Sequence, residues 1–263
     1  MKAGISTATL FMKAYNEEAV ALFNDWKIGC AEVFLTSFRE YEPSFSELLF
    51  KRKGTLEVHS VHDLNTQFEP QLYNAHPRVK EDAFAWLDKV MRSAQILGAK
   101  AYTFHGIARI KRTFREDFAR VGALTQEIYD FCAKYGVTLC YENVEWAFYN
   151  RPGVFRELKA RCPALKGVLD IKQARITGYP YYEYLEEMGE SLEHIHVSDV
   201  DENGKMCLPG RGAFDFDELF LRLRDVGFDG PVLIENYQND YAGLEELRAS
   251  YEFIAEKAEK YSL

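Results

Sequence analysis

The chain has 263 residues, of which 47% are hydrophobic and 28% are charged, and its formal net charge is -9. This length buries enough apolar surface to fold without disulfides, and the acidic excess argues against duplex nucleic acid as a partner. No apolar run approaches the roughly 18 residues of a membrane span, and residues 1–11 lack a signal-peptide core, so we expect a cytoplasmic protein without a membrane partner.

Short β-branched or aromatic runs alternate with longer amphipathic stretches along the chain. The strands predicted from this pattern are Ala3–Ser6, Cys30–Leu35, Thr55–Val61, Ala101–His105, Thr138–Tyr141, Gly167–Leu169, His194–Val197 and Val232–Ile234. Helical periodicity is found at Asn16–Lys27, which Asn16 is expected to cap, at Arg78–Leu97 before Gly98, across Phe118–Cys132, and around Leu219–Val226 before Gly227. Eight strands alternating with helices predict a parallel sheet.

Periodicity alone does not distinguish a closed barrel from an open sheet. The count of eight strands, the lack of a GxGxxG turn and the polar residues at strand ends favour a (β/α)₈ TIM barrel of the α/β class. No linker, repeat or low-complexity tract divides the sequence, so we predict one domain over residues 1–263. The five cysteines are scattered and include no CxxC pair, which favours buried free thiols.

Six of the eight predicted strands end at a residue that can bind a metal or move a proton. These residues are His62, His105, Glu142, Asp170, His196 and Glu235. The C-terminal ends of barrel strands meet on one face, so these side chains are expected to converge there. Three carboxylates and an imidazole suit Mn²⁺, Mg²⁺ or Co²⁺, and they also accommodate Zn²⁺. Such an ion polarises a carbonyl and makes the neighbouring C–H more acidic, and a nearby carboxylate would act as the base.

Each of these residues also has a structural alternative. A carboxylate at a strand end is more often a helix cap or an ion-pair partner than a metal ligand, and capping is a specific alternative for Asp170. His105 suits a buried structural role equally well. His194 shares a face with His196 but lies deeper, so a structural role is expected there. The joint occurrence of four candidate ligands at equivalent strand ends favours a functional site.

Short motifs accompany the candidate residues along the chain: SVH at Ser60–His62, FHG at Phe104–Gly106, YEN at Tyr141–Asn143, LDIKQA at Leu169–Ala174, HIHVSD at His194–Asp199, LPGRGAFDF at Leu208–Phe216 and IEN at Ile234–Asn236. In this order they resemble the motifs of the xylose isomerase-like barrels, the sugar phosphate isomerases and epimerases. That family also includes ketose 3-epimerases, hydroxypyruvate isomerases, inosose dehydratases and apurinic endonucleases. Each tripeptide is weak alone, but the ordered set covers almost the whole chain.

The resemblance implies one divalent metal ion, Mn, Mg, Co or Zn, held by Glu142, Asp170, His196 and Glu235. It also implies that Glu142 and Glu235 are the acid and base that flank the reacting carbons. Lys172 is a further candidate for a general acid or a substrate contact, with an ion pair to a neighbouring carboxylate as its alternative.

Four more residues are candidate substrate contacts. By the resemblance, His62 and His105 would contact substrate hydroxyls or, in the endonuclease branch, further zinc ions. Arg211 stands where the family often has an acid, and it is expected to clamp a carboxylate or phosphate, with an exposed loop arginine as the alternative. Glu32 is expected to be a substrate contact or an ion-pair partner.

Two departures from the family pattern argue against DNA repair. Gln173 stands where the family often has a histidine, and no histidine occurs within Asp199–Phe216. Both changes remove ligands of a trinuclear zinc site. We therefore expect a metal-dependent isomerase or epimerase of a small sugar, polyol or sugar phosphate, which moves a proton through a metal-stabilised enediolate. A metal-dependent lyase or hydrolase, or a catalytically silent sugar-binding barrel, is the alternative.

Overall fold

A closed barrel of eight parallel strands forms the centre of the molecule, which a computed structural model describes for residues 1–64, 68–109 and 116–262. The barrel strands are β1 (Lys2–Ser6), β2 (Cys30–Leu35), β3 (Val58–Asp63), β4 (Ala101–Phe104), β5 (Thr138–Glu142), β6 (Lys166–Asp170), β7 (Leu192–Val197) and β10 (Pro231–Ile234). Their order around the barrel is β1, β10, β7, β6, β5, β4, β3, β2, and β1 pairs with both β10 and β2 to close it. Two short strands, β8 (Asp199–Val200) and β9 (Met206–Cys207), form an antiparallel hairpin after β7. The predicted TIM barrel is confirmed.

The helices surround the barrel and connect its strands. They are α1 (Asn16–Asp25), α2 (Pro43–Arg52), α3 (Pro77–Leu97), α4 (Phe118–Ala133), α5 (Val154–Lys159), α6 (Ile171–Thr177), α7 (Tyr181–Met188), α8 (Phe216–Asp225) and α9 (Leu244–Tyr261). The apolar spacing of α3 buries Leu87, Val90 and Ala94, and Gly98 ends this helix with a left-handed φ of 79°, as predicted. Within the described ranges, no helix has the length and apolar character needed to cross a membrane.

One predicted helix cap and the bounds of one predicted strand differ from the structure. Asn16 lies inside α1 rather than capping it, because its amide nitrogen donates instead to the Phe34 carbonyl at 2.7 Å and to the Glu40 carboxylate at 3.1 Å. The third strand was predicted at Thr55–Val61 but runs from Val58 to Asp63, since a turn at Gly54 occupies the residues before it. The shift places His62 within the strand instead of after it.

The barrel interior is polar in the layer that lies beneath the candidate site. Ser6, Glu32, Ser60, Thr103 and His194 all have no exposed surface. TIM-barrel interiors are usually filled by branched aliphatic side chains. A fully buried polar layer needs internal hydrogen-bond partners, and these partners orient the residues above it.

The five cysteines are free thiols, as predicted. Four of them are buried, and Cys207 on the β8–β9 hairpin is half-buried. Burial raises the pKa of Cys30 to about 12, although nearby Lys2 opposes the shift.

Candidate metal centre and active site

Four side chains from neighbouring barrel strands converge at the C-terminal end of the barrel. Glu142 ends β5, Asp170 ends β6, His196 lies in β7, and Glu235 follows β10, and these four strands are adjacent in the barrel. One ligand atom from each residue lies within 4.8 Å of the others. The structure therefore brings together the four residues that the family resemblance implied as metal ligands.

His196 lies at the centre of this group. Its Nδ1 is 2.8 Å from Glu142 Oε1 and also contacts Glu235 Oε2. Its Nε2 faces the opposite way, 3.1 Å from Glu32 Oε1. Burial lowers the pKa of His196, but the carboxylates of Glu235, Glu32 and Glu142 together raise it well above its ordinary value.

Glu32 lies beneath His196 and is enclosed by side-chain donors. It accepts hydrogen bonds from Ser6 Oγ at 3.0 Å, Ser60 Oγ at 2.9 Å and Thr103 Oγ1 at 2.5 Å. Burial raises the pKa of Glu32, but His196, His194 and His62 together hold it well below its ordinary value. Glu32 is fully buried and lies 3.1 Å from His196 Nε2 and 3.4 Å from His194 Nε2, the arrangement of the ion-pair alternative.

Asp170 caps a helix with one carboxylate oxygen, as the alternative in the sequence analysis has it, and its other oxygen faces Lys172. Its Oδ1 accepts the Gln173 backbone N–H at 2.9 Å and so caps α6, whereas Oδ2 lies 3.5 Å from Lys172 Nζ. The Asn143 side chain fixes the Asp170 backbone, because its Oδ1 accepts the Asp170 N–H at 2.8 Å and its Nδ2 donates to the Asp170 carbonyl at 2.9 Å. Lys172 is buried, and its ammonium lies 4.3 Å from the centre of the Tyr237 ring.

Charge and donor chemistry in this group fit a divalent cation. Three carboxylates share a buried space with the Lys172 ammonium and the His196 imidazole. Burial raises the pKa of Asp170 to about 6, although the Lys172 ammonium opposes this shift. A cation bound among the carboxylates would relieve their mutual repulsion, and three oxygen donors with one imidazole are ligands that Mn²⁺, Co²⁺ and Zn²⁺ accept.

His62 in β3 and His105 directly after β4 lie at the same end of the barrel as these four residues. The centres of their rings are 4.4 Å apart. His62 Nδ1 is 3.0 Å from the Thr103 carbonyl, so Nδ1 carries the proton and Nε2 remains an acceptor. His105 Nε2 is 3.2 Å from Glu142 Oε2. His62, His105 and Glu142 form a second group of ligand atoms within 4.8 Å of one another.

Glu69 fixes the backbone of His105, and the sequence analysis did not identify Glu69 as a site residue. Its Oε2 accepts the backbone N–H groups of His105 at 3.0 Å and of Gly106 at 3.1 Å, and it lies 3.6 Å from His105 Nδ1. Burial lowers the pKa of His105, but Glu142 and Glu69 raise it to about 10. Glu69 precedes a proline in a polar stretch, where a glutamate is ordinarily exposed, so the sequence carried no signal for it.

A second buried acid lies next to Glu69. The Tyr102 hydroxyl is 2.5 Å from Asp63 Oδ1 and 2.7 Å from Glu69 Oε1. One hydroxyl has one proton to donate, so one of the two acids must be protonated. Burial and the Glu69 charge raise the pKa of Asp63 well above its ordinary value.

The loop that carries Arg211 is organised around Asp199. The Asp199 carboxylate accepts backbone N–H groups from Gly210 at 3.0 Å, Gly212 at 2.9 Å and Phe214 at 2.9 Å. The Arg211 side chain is exposed on this loop. The structure thus gives Arg211 a position outside the buried centre.

Comparison with known proteins agrees with the fold and the motifs. A model of the family described as "Xylose isomerase-like TIM barrel" matches residues 13–257. The chain is 28% identical over 74 residues to a fructoselysine 3-epimerase of Escherichia coli O157:H7, a match that spans 28% of this chain and 27% of the epimerase.

Two solved structures share the fold over nearly their whole length. D-psicose 3-epimerase from Clostridium cellulolyticum H10, solved with D-tagatose, has a TM-score of 0.80 at 17% identity, and the match covers 99% of each chain. The IolI protein, solved with a bound zinc atom, has a TM-score of 0.78 at 17% identity, and the match covers 100% of this chain and 99% of that one.

Proposed function

Because the chain belongs to the xylose isomerase-like TIM-barrel family, we propose that it is a metal-dependent isomerase or epimerase of a small sugar, with 3-epimerisation of a ketose as the favoured reaction. The observation that carries the proposal is the convergence of Glu142 and Glu235 on one buried group from the two ends of an arc of four strands. The similarity to a fructoselysine 3-epimerase and the fold shared with D-psicose 3-epimerase support a ketose as substrate. The zinc in the IolI structure supports a divalent ion. We also propose that the protein acts in the cytoplasm.

The reaction requires a proton to leave one face of a carbon and to return to the other. A divalent ion at the centre would polarise the ketose carbonyl and acidify the adjacent C–H. Glu142 and Glu235 reach the centre from β5 and β10, with β6 and β7 between them. A carboxylate on each side of the substrate carbon lets one accept the proton and the other donate one.

Other side chains would hold the sugar in place. His62 Nε2 is an acceptor for a substrate hydroxyl, since Nδ1 is directed to the Thr103 carbonyl. His105 would donate a hydrogen bond while Glu69 fixes its backbone. Lys172 is paired with Asp170 at 3.5 Å and covered by Tyr237, which suits a fixed cation facing a substrate oxygen better than a mobile proton carrier.

The first test is turnover of ketoses in D₂O by the metal-loaded protein. Deuterium should appear at the carbon next to the carbonyl, and Glu142→Gln or Glu235→Gln should each reduce turnover by about 10²-fold or more. Metal content is measured beside the rates, because a weakened ion would also slow the reaction. A product without deuterium would indicate a hydride shift and remove both glutamates from proton transfer, a product that has lost water would indicate a lyase, and no turnover of any ketose would favour the silent barrel.

The second test is elemental analysis of the purified protein. We expect one divalent ion per chain in the wild type and a loss in His196→Ala, because His196 is the one imidazole among the four candidate ligands. His76→Ala is the matched control, since His76 is exposed before α3. Equal metal content in wild type and His196→Ala would show that the ion lies elsewhere.

A further inference from the structure

A cavity of about 310 Å³ opens beside the candidate centre, between the C-terminal ends of β6 and β7 and the β8–β9 hairpin. Helix α6 supplies Lys172 and Arg175, and the segment after β7 supplies Ser198. Phe214 and Tyr181, whose ring centres are 5.5 Å apart, form part of the wall. This volume lies at the lower end of the range of small-molecule sites, about 300–1,000 Å³.

Two polar groups that line this cavity, the Ser198 hydroxyl and the Arg175 guanidinium, have no partner of their own among the described residues. Ser198 is 3% exposed, and its Oγ is buried without a hydrogen-bond partner among the described residues. The Arg175 side chain is exposed, so it lies at the mouth of the cavity, and it forms no ion pair within the described part of the chain. Its Nη2 would lie 3.6 Å from a Cβ placed on Gly204, so the side chain extends from α6 to the turn of the hairpin.

The carboxylate in the cavity wall is already satisfied. Asp199 accepts four backbone N–H groups, from Val200, Gly210, Gly212 and Phe214, at 2.7–3.0 Å. Its charge is therefore directed to the loop, whereas the Arg175 guanidinium and the buried Ser198 hydroxyl have no such partners among the described residues. A guanidinium at the mouth of a cavity pairs with a phosphate or a carboxylate through charge-assisted hydrogen bonds.

The position of the cavity connects it to the reaction centre. Lys172 lines the cavity and also pairs with Asp170. Ser198 follows His196 by two residues, about 7 Å along an extended chain. A substrate whose carbonyl faces the centre would reach the cavity with the far end of a short carbon chain.

We propose that this cavity receives an anionic group of the substrate, a phosphate or a carboxylate, bound by Arg175 and the Ser198 hydroxyl. The inference rests on the proposed function for its substrate, a ketose, and adds that the ketose carries a negative charge beyond its reacting carbons. It assigns the anion to α6, whereas the sequence pattern pointed to Arg211.

The test compares D-fructose, D-fructose 6-phosphate and a ketohexuronate as substrates of the metal-loaded protein. A charged ketose should exceed the neutral one in kcat/KM by about 10-fold or more, the gain typical of hydrogen bonds to a charged group. A preference for D-fructose 6-phosphate would identify the anionic group as a phosphate, and a preference for the ketohexuronate would identify it as a carboxylate. Arg175→Ala should abolish the preference, Ser198→Ala should reduce it, and Arg248→Ala, an exposed arginine on α9, should leave it unchanged.

Binding of inorganic phosphate and of acetate to the metal-free protein, measured by calorimetry, provides a readout independent of turnover. Affinity that disappears in Arg175→Ala supports the anion subsite, even where no ketose is turned over and the epimerase proposal fails. Equal turnover of charged and neutral ketoses, with anion affinity unaffected by Arg175→Ala, would overturn the subsite and leave the epimerase standing. Loss of the preference in Arg211→Ala but not in Arg175→Ala would transfer the role to the loop.

Discussion

His196 is held between carboxylates on both of its ring nitrogens. Nδ1 faces Glu142 and Glu235, and Nε2 faces Glu32 at 3.1 Å. A carboxylate behind a histidine ligand commonly fixes the ring orientation and the tautomer. Glu32 is thus placed to direct Nδ1 toward the candidate centre.

Replacement of Glu32 by glutamine should weaken metal binding while the barrel stays folded. The amide keeps the shape but removes the charge opposite Nε2, so we expect a rise in the metal Kd of about 10-fold or more. Calorimetry with Mn²⁺ measures the Kd, and a thermal melt checks the fold. Glu69→Gln is the matched control, because Glu69 is equally buried but contacts His105 and none of the four candidate ligands. A Kd unchanged in a folded Glu32→Gln variant would leave Glu32 with a purely structural role.

Site residues at strand ends could be predicted from the sequence, whereas residues that only tertiary contacts bring to the site could not. Glu142, Asp170 and His196 are recognisable because each ends a run of strand residues. Glu69 is not, because its partners His105, Gly106 and Tyr102 lie more than 30 positions away in sequence. No local pattern in the sequence encodes such a contact.

The connections after the strands form the site as much as the strands do. The β8–β9 hairpin and the loop that follows it wrap around Asp199, which also supplies part of the cavity wall. This arrangement gives a physical reason for glycine in the segment Leu208–Phe216. A Cβ on Gly212 would lie 2.2 Å from the Val200 carbonyl oxygen and 2.4 Å from Asp199 Oδ1.

Gly212→Ala should therefore displace this loop. The added methyl group meets backbone, which cannot rotate away, and we expect a loss of about 1–3 kcal/mol in the free energy of unfolding. Gly243→Ala is the control, because no atom lies within 4 Å of a Cβ there and its φ is -138°. Chemical denaturation of both variants measures the difference, and equal stability would show that the loop accommodates the methyl group.

Element positions were predicted better than element ends. The strands β5 and β6 each extend one residue beyond the predicted end and so include Glu142 and Asp170. Five helices, α2, α5, α6, α7 and α9, were not predicted. For α5, α6 and α7 the reason is length, since six to eight residues are too few for a helical period to stand out. Residues of α6 and the first residue of α7 line the cavity, so the shape of the cavity could not be predicted from sequence periodicity.

Closure of the barrel brings candidate ligands that are far apart in sequence into one site. The candidate ligands span 94 positions, from Glu142 to Glu235, yet they lie on four adjacent strands. A (β/α) repeat brings each successive strand end to the same face. The sequence predicted this convergence, whereas the buried polar layer beneath it became visible only in the structure.

The molecule as a whole should not cleave abasic DNA. Its net charge of -9 opposes binding to a polyanion. Two groups of candidate ligand atoms lie at the C-terminal ends of the barrel strands, Glu142, Asp170, His196 and Glu235 in one and His62, His105 and Glu142 in the other, and a third group, Glu32, His194 and His196, lies in the buried polar layer beneath them. A trinuclear site needs further ligands, but Gln173 Oε1 accepts the Glu145 backbone N–H at 3.1 Å, and the segment Asp199–Phe216 contains no histidine.

An incision assay with zinc-loaded protein at low salt, where nonspecific DNA affinity is greatest, is the appropriate test of this prediction. We expect no product above a metal-free control, and incision by wild type that Glu142→Gln abolishes would assign nuclease activity to this site and overturn the isomerase proposal.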